Sequence, residues 1–305
     1  MKSVTAARWL LTLLCALTWP AVAQSSLTSV GSDTLGELMQ AWAQRYAFAA
    51  PEVHIQIRTP GSAAAPTALA TGAADIGPMS RAMSAAEIAS YRLRRGREPG
   101  RIRVAFDAVA LFVHPDNPLP SLDLTAAARI WSERAACGGT AVAHWRDLGI
   151  DAAGLAQQPV LRLGRNTASG TFEFFHDTAL CNNRYRADVV QFPGASAIVA
   201  AVARTPNAIG YAGLGHVNGL VRVLPLARGD EPPVLPDAAS IVSGRYPLAR
   251  PLYLYFNRAD DGRPDPATAD FLRFALSTTA QEVAASRGFI ALPATDVALE
   301  LGQLQ

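Results

Sequence analysis

Apolar positions along the chain alternate between the period of a strand and that of a helix. Ser26–Val30 is a short strand candidate, and the segment after it sets Leu35, Leu38, Met39, Trp42 and Tyr46 on one helical face. Val53, Ile55 and Ile57 alternate as in a half-buried strand, and the alanine-rich run Ala63–Ala70 follows as a helix. A third short run, Ala74–Gly77, ends in Pro78-Met79-Ser80-Arg81. Val160, Leu161 and Leu163 form a strand that runs into Arg165 and the turn Asn166–Gly170. The helix beyond opens at Thr171 and carries Phe172, Phe175 and Leu180 on one face. Ser196 is placed to cap a helix with Ile198, Ala201 and Val202, and Asn207–Gly215 is a strand that becomes a glycine-rich loop. Asp265-Pro266 is a cap followed by a proline, a helix start, with the helical region ending near Gly288. Trp131, Trp145 and Cys137 fall in a stretch without regular periodicity. Short strands alternating with helices predict an α/β fold.

Two apolar runs break this rhythm. Val104–Val113 is long for a single strand, and Leu252–Phe256 is a second compact apolar run far downstream. Both read as crossings between two lobes, which a 305-residue chain is long enough to build. The expected first lobe is discontinuous, residues 24–107 plus 248–305, with a second lobe, 108–247, inserted between the crossings.

The start of the chain has the features of a secretory leader. Lys2 and Arg8 precede and flank an apolar core, Trp9–Trp19, that is short for a membrane span, and Ala21-Val22-Ala23 is a small-x-small cleavage site. Residues 1–23 are therefore expected to be a signal peptide. Cys15 invites a lipoprotein reading, but Leu14 before it is too large for a lipidation site. Later stretches are too short or too polar to span a bilayer, so the mature chain is expected in the periplasm or secreted.

Without Lys2 and Arg8 the 27 basic residues become 25, equal to the 25 acidic ones. Nucleic-acid binding thus has no global electrostatic support. Cys137 and Cys181 remain in the mature chain, and an even count in an exported protein predicts one disulfide, contributing about 3–4 kcal/mol on the chain-entropy model. The histidines at 54, 114, 144, 176 and 216 are scattered without metal-ligand spacing, and no metal is expected. Six arginines between Tyr91 and Arg103 face one acid, Glu98. They fit a solvated helix end and loop, with a docking patch for an acidic partner or anionic lipid as the alternative.

Three strand-to-helix turns carry hydroxyls: Thr34, Ser62, and Ser169 with Thr171. The first amides of a helix lack internal partners and sit at the positive end of its dipole, so such turns suit an oxyanion. In open α/β sheets ligands bind beyond the carboxyl ends of the strands, which would bring turns from both lobes to one cleft. Arg165 can add a forked, charge-assisted pair of hydrogen bonds, and Ser80-Arg81 lies at a fourth such end. Catalytic signatures are missing: there is no G-x-S-x-G elbow, no H-E-x-x-H and no phosphate-loop lysine. Ser32 and Asp33 lie together with no histidine tied to them. Asp33, Asp75 and Asp107 are conceivable metal ligands of a phosphatase but are better explained as turn or cap residues.

At these residues the chain resembles the periplasmic phosphate-binding proteins of ABC importers, the PstS-like group of two-lobed solute-binding proteins. Arg165, Ser169, Gly170 and Thr171 match that family's R-x-x-x-S-G-T motif. Thr34-Leu35, Gly61-Ser62, Asp75-Ile76-Gly77 and Ala208–Tyr211 resemble its other signatures, and Val104–Val113 and Leu252–Phe256 its hinge strands. The resemblance implies a type II periplasmic-binding-protein fold with two hinge crossings and a ligand cleft between lobes. It implies a monomer without cofactor or catalysis, binding inorganic phosphate and handing it to a membrane permease. Carried over position by position, the ligand shell would be Thr34, the Leu35 amide, Ser62, Arg165, Ser169, Gly170 and Thr171. Some members place an aspartate where this chain has Ser80, followed by Arg81, and that aspartate accepts the proton of bound phosphate. Ser80 can accept or donate, so weaker exclusion of sulfate or arsenate is expected unless Asp33 takes that role. Alternatives are a phosphatase-like enzyme of the same superfamily, a binding protein for another oxyanion such as sulfate, and a secreted protein outside transport.

Overall fold

The computed structural model describes residues 25–134, 138–181 and 183–304. The expected leader, 1–23, and Cys137 of the expected disulfide lie outside the described residues.

The chain alternates strands and helices as the apolar pattern requires. The first lobe opens with β1 (Ser25–Val30), α1 (Gly36–Tyr46), β2 (Val53–Arg58), α2 (Ala65–Thr71), β3 (Ile76–Met79) and α3 (Ala85–Arg95). The long strand β4 (Gly100–Val113) then carries the chain into the second lobe. That lobe holds β5 (Leu122–Asp123), α4 (Leu124–Trp131), β6 (Leu161–Arg165), α5 (Gly170–Ala179) and β7 (Val190–Phe192). It continues with α6 (Ala195–Val202), β8 (Ala208–Gly213), β9 (Arg222–Val223), β10 (Leu226–Ala227) and α7 (Ala238–Val242). β11 (Ala249–Phe256) returns to the first lobe, which α8 (Pro266–Ala275), α9 (Thr278–Ser286) and α10 (Ala294–Gly302) complete.

One sheet runs through both lobes in the order β2-β1-β3-β11-β4-β8-β6-β7, with β9 also on β4. β4 changes partner along its length. Residues from Gly100 to Ala108 pair antiparallel with β11, and Val109–Val113 pair antiparallel with β8. Burial follows the switch: exposed and half-buried positions end at Phe106, and every residue from Asp107 to Val113 is buried. The second half is sandwiched, with Leu111, Trp131 and Tyr211 in the core on one face and Ala110, Phe112 and Ile198 in that on the other. β11 shifts register between Leu252 and Tyr253, beside the crossing. The two apolar runs are thus the strands that join the lobes.

In the first lobe, Leu38, Trp42, Phe271 and Leu272 pack together on one side of the sheet, and the Trp42 indole N–H donates to the Ala280 carbonyl at 2.8 Å. Leu69, Met79, Tyr91 and Tyr255 form the smaller core on the other side. Caps fix several helix starts. Ser84 and Glu87 close a capping box on α3, and the Asp265 carboxylate accepts from the Ala267 amide at 3.0 Å, with Pro266 at the first helical position.

Local details differ from the sequence-based expectation where tertiary contacts decide. The Ala63–Ala70 run begins as a 3₁₀ turn, Ser62–Ala64, and becomes α-helical only at Ala65. The helix expected at Thr171 starts one residue earlier, at Gly170. Gly194, not Ser196, occupies the cap of α6. Trp131 ends α4 and Trp145 opens a 3₁₀ turn, because both indoles are buried in the second-lobe core. Among the clustered arginines, Arg103 is tied to Glu300 and Asp296 of α10.

Candidate functional site

The carboxyl ends of β1, β2, β3 and β6 deliver the hydroxyl-bearing turns to a seam between the lobes. Thr34 from the first lobe meets Thr171 from the second, Oγ1 to Oγ1, at 3.2 Å. Ser62 and Ser80, both in the first lobe, lie 3.3 Å apart, and the Ser80 amide donates to Ser62 Oγ at 3.1 Å. Gly170 abuts this pair from across the seam: a Cβ added there would fall 2.4 Å from Ser62 Oγ and 2.7 Å from Ser80 Oγ. The backbones touch as well, since the Ala63 amide donates to the Ala168 carbonyl at 3.3 Å. Gly61, at φ 123, allows this approach; a Cβ on it would lie 2.2 Å from that same carbonyl oxygen. Thr34, Leu35, Ser62, Ser80, Ser169, Gly170 and Thr171 are all buried.

The α5 amino terminus is a capped turn at the seam. Ser169 caps the helix, its Oγ accepting from the Thr171 amide at 3.1 Å. Arg165, the last residue of β6, is 1% exposed. Its Nη2 donates to the Pro193 carbonyl at 2.7 Å and lies 3.0 Å from Asp33 Oδ2. Its Nε and Nη1 are buried without a hydrogen-bond partner among the described residues. Burial is the largest influence on this guanidinium and lowers its pKa; the Asp33 carboxylate opposes the shift, while nearby Arg250 adds to it. Buried donors left without an acceptor are costly, so an acceptor set against Nε and Nη1 would lower the energy of this arrangement.

The backbone of Arg165 is held from behind by an aromatic stack. Its amide donates to the Tyr211 hydroxyl at 3.3 Å, which contacts the Tyr185 hydroxyl at 2.9 Å, and Tyr185 donates on to the Phe172 carbonyl. Phe175 stacks on Tyr211 with centroids 4.2 Å apart, and Trp131 meets both rings edge-on. Burial pushes the Tyr211 hydroxyl up to about 12, so this support stays neutral.

Arg81 is placed differently from the hydroxyls beside it. Nη1 and Nη2 donate to the two Glu87 oxygens, each at 2.7 Å, and Nη1 also reaches the Ala82 carbonyl. Nε lies 2.6 Å from Glu173 on α5, so the guanidinium bridges the lobes between two carboxylates.

The sequence profile of the PBP superfamily domain matches residues 19–279. The phosphate-binding protein PstS of Pseudomonas aeruginosa is 41% identical over 271 residues, 88% of this chain and 84% of that protein. The chain belongs to the PBP superfamily. Within it, this level of identity places it in the PstS family. Protein SphX of Synechococcus elongatus is 25% identical over 90% of the chain and 80% of its own length. Solved structures share the fold. An ABC-type phosphate transport receptor from Vibrio cholerae superposes with a TM-score of 0.65 at 22% identity, covering 88% of this chain and all of that one. The high-affinity periplasmic phosphate-binding protein PfluDING, bound with phosphate, gives a TM-score of 0.69 at 15% identity over 90% and 92% of the two chains.

In this PstS-family chain the sequence reading passed over one buried pair. Asp107 of β4 and Arg250 of β11 are register partners where the strands cross, exposed by 1% each. Arg250 Nε and Nη2 donate to Asp107 Oδ2 at 3.1 and 2.7 Å, and Nη2 also donates to Thr171 Oγ1 at 3.0 Å. The available signal was an acid inside the first apolar crossing run and a base two residues before the second. The three aspartates weighed as metal ligands serve separate partners: Asp33 faces Arg165, Asp75 accepts from the Thr28 amide, and Asp107 holds Arg250. Among the described residues no cluster of three or more acidic, histidine or cysteine groups is placed to hold a metal.

Proposed function

We propose that this chain captures inorganic phosphate between its lobes and delivers it to the permease of an ABC importer. The observation that carries this reading is the pair of buried Arg165 nitrogens without a partner among the described residues, on the strand that leads into the turn capping α5, in a seam lined by the buried hydroxyls of Thr34, Ser62, Ser169 and Thr171. A tetrahedral oxyanion supplies the acceptors that these donors lack. The names of the PstS-family relatives support phosphate as that anion. The mature protein acts as an exported, monomeric binding protein without a catalytic step, and a Cys137–Cys181 disulfide staples the second lobe. No helix among the described residues is long and apolar enough to cross a membrane.

The test is calorimetric titration of mature protein, freed of ligand by unfolding and refolding, with phosphate and then sulfate at matched ionic strength. One-to-one phosphate binding is expected, and Arg165→Met should weaken it by about 1.5–3 kcal/mol or more, the value of a hydrogen bond to a charged group. Wild-type affinity in Arg165→Met would remove Arg165 from the site. Absence of phosphate binding by the wild-type protein would overturn the function.

Sulfate is the second reading, and Ser80 is the observation behind it. Phosphate near neutral pH keeps a P–OH donor that needs an acceptor, whereas sulfate has none. Ser62 Oγ already accepts from the Ser80 amide, and Ser169 Oγ from the Thr171 amide. Ser80 Oγ contacts only the Ser62 hydroxyl among the described residues, and as a hydroxyl it can donate to sulfate as readily as it can accept the proton of phosphate. Equal affinities for the two anions would favour the broader oxyanion reading.

A further inference from the structure

Arg250 has no place in the ligand shell that the motif implies, yet its guanidinium is buried on the strand that joins the lobes and touches a ligand hydroxyl. We propose that Arg250, anchored by Asp107 at the crossing of β4 and β11, is a positioning residue of the anion site that fixes the Thr171 hydroxyl as a donor to the bound oxyanion. The inference rests on the phosphate-binding reading above.

The argument begins with the proton count at Thr171. A hydroxyl has one proton to give and two lone pairs. A guanidinium nitrogen can only donate, so the 3.0 Å contact from Arg250 Nη2 must occupy a lone pair of Thr171 Oγ1. The Thr171 proton is therefore turned away from Arg250. Among the described residues its other side-chain hydrogen-bond contact is Thr34 Oγ1 of the opposite lobe, at 3.2 Å, on the seam where the proposed ligand would sit. Without Arg250 the two threonine hydroxyls can exchange donor and acceptor roles freely. With it, Thr171 is polarised as a donor, and a donor whose oxygen already accepts from a cation is the stronger for it.

The anchor makes this assignment rigid. Asp107 Oδ2 takes both Nε and Nη2 of Arg250, and Asp107 Oδ1 accepts from the Leu214 amide at 3.1 Å. Phe174 packs over the guanidinium carbon at 5.4 Å. Arg250 Nη1 is buried with no hydrogen-bond partner among the described residues, a second donor left over after Asp107 and Thr171 are served. A purely structural arginine would be expected to leave no nitrogen without a partner, as Arg162 does with backbone carbonyls and Asp188. Lysine cannot replace this geometry, because it lacks the planar fork that joins Asp107 to Thr171.

The test is a double-mutant cycle read by phosphate titration, with Arg250→Gln, Thr171→Val and the combination. Arg250→Gln should weaken phosphate roughly ten- to hundredfold, as loss of a charge-assisted contact does. If Arg250 works through the Thr171 hydroxyl, most of that loss disappears in the Thr171→Val background, and Thr171→Ser restores it. Effects of the two changes that simply multiply would overturn the proposal, as would wild-type affinity in Arg250→Gln. Should Arg250→Gln not fold, Arg250→Lys keeps the charge beside Asp107 and gives the same reading: a large loss absent from the Thr171→Val background supports the role, and unchanged affinity overturns it. A wild-type protein that binds no phosphate would overturn the function together with this role, whereas wild-type binding that is indifferent to Arg250 overturns the role alone.

Discussion

Gly170 offers the sharpest check on how the lobes meet. It is the first residue of α5 and faces Ser62 and Ser80 across the seam. In Gly170→Ala the new Cβ would lie 2.4 Å from Ser62 Oγ, 2.7 Å from Ser80 Oγ and 2.8 Å from Ser62 Cβ. The serine hydroxyls can rotate aside, but Ser62 Cβ belongs to the turn itself and cannot. The carbon pair falls roughly 0.7 Å short of the ~3.5 Å at which such atoms normally sit, so the lobes must back away. Overpacking of this kind costs about 1–3 kcal/mol. On the proposed capture function the lobes part without ligand, so the cost falls only on the arrangement in which they touch, and at 1.4 kcal/mol per decade it predicts phosphate binding about 5- to 150-fold weaker. The ligand-free protein should not suffer: Gly170 has no positive φ, and alanine at a compatible position restricts the unfolded chain. Thermal melting with and without phosphate, beside calorimetry, separates the two effects. The expected result is an unchanged or raised melting temperature without phosphate and a reduced upward shift with it. Wild-type affinity, or an equal fall in both melting temperatures, would refute this account of the seam. Gly61→Ala is the contrasting case, because its φ of 123 strains alanine whether or not the lobes touch.

The charges around the seam predict two further responses. Burial alone would raise the Glu87 carboxyl, but hydrogen bonds from Arg81 and Ser84 outweigh it and hold the pKa below its ordinary value. A carboxyl lowered on folding stabilises above its unfolded pKa and loses that contribution as pH falls through the folded one. Between roughly pH 5 and pH 3 the wild-type urea midpoint should therefore drop further than that of Glu87→Gln; parallel drops would exclude the Arg81 contact as a source of stability. Glu173 shifts the other way, raised first by burial, and remains in both proteins. Asp33 puts a carboxylate 3.0 Å from Arg165, close to the proposed anion. Asp33→Asn removes that repulsion and should favour sulfate, which stays fully ionised, over phosphate by about tenfold in paired titrations. An unchanged ratio would show that Asp33 does not sense the ligand.

How far the molecule was legible in advance depended on whether the deciding interactions were local. Strand ends, caps and apolar faces are set within a few residues, so the turns at Thr34, Ser62 and Ser169 and the two joining strands could be placed from the sequence. The roles of charged side chains could not. Arg81 follows Ser80 in the chain, but its partner Glu173 lies in the other lobe. Asp33 looked like a turn residue because Arg165, its counter-charge, comes from the inserted lobe. Asp107 and Arg250 sit 143 positions apart and become neighbours only through antiparallel pairing at the crossing. The one local clue to them was chemical: an acid within Val104–Val113 and a base just before Leu252–Phe256, two runs otherwise suited to burial. A charge in such a strand needs a partner, and the strand beside it is where that partner must come from.

The same pairings explain why the site is not a bare cationic hole. Arg165 stands against Asp33, Arg250 against Asp107, and Arg81 against both Glu87 and Glu173. Formal charge at the seam is thus balanced, or slightly negative, before any anion arrives. In the proposed reading an oxyanion would be held by the Arg165 nitrogens that lack partners among the described residues, the hydroxyls of both lobes and the α5 amino terminus. Oriented dipoles among buried groups attract charge strongly without the cost of burying unpaired cations. Counter-charges behind the arginines also keep each guanidinium fork in one orientation, and on the proposed roles selectivity among anions of similar size would fall to the placement of single protons, on Thr171 through Arg250 and on the ligand through Ser80.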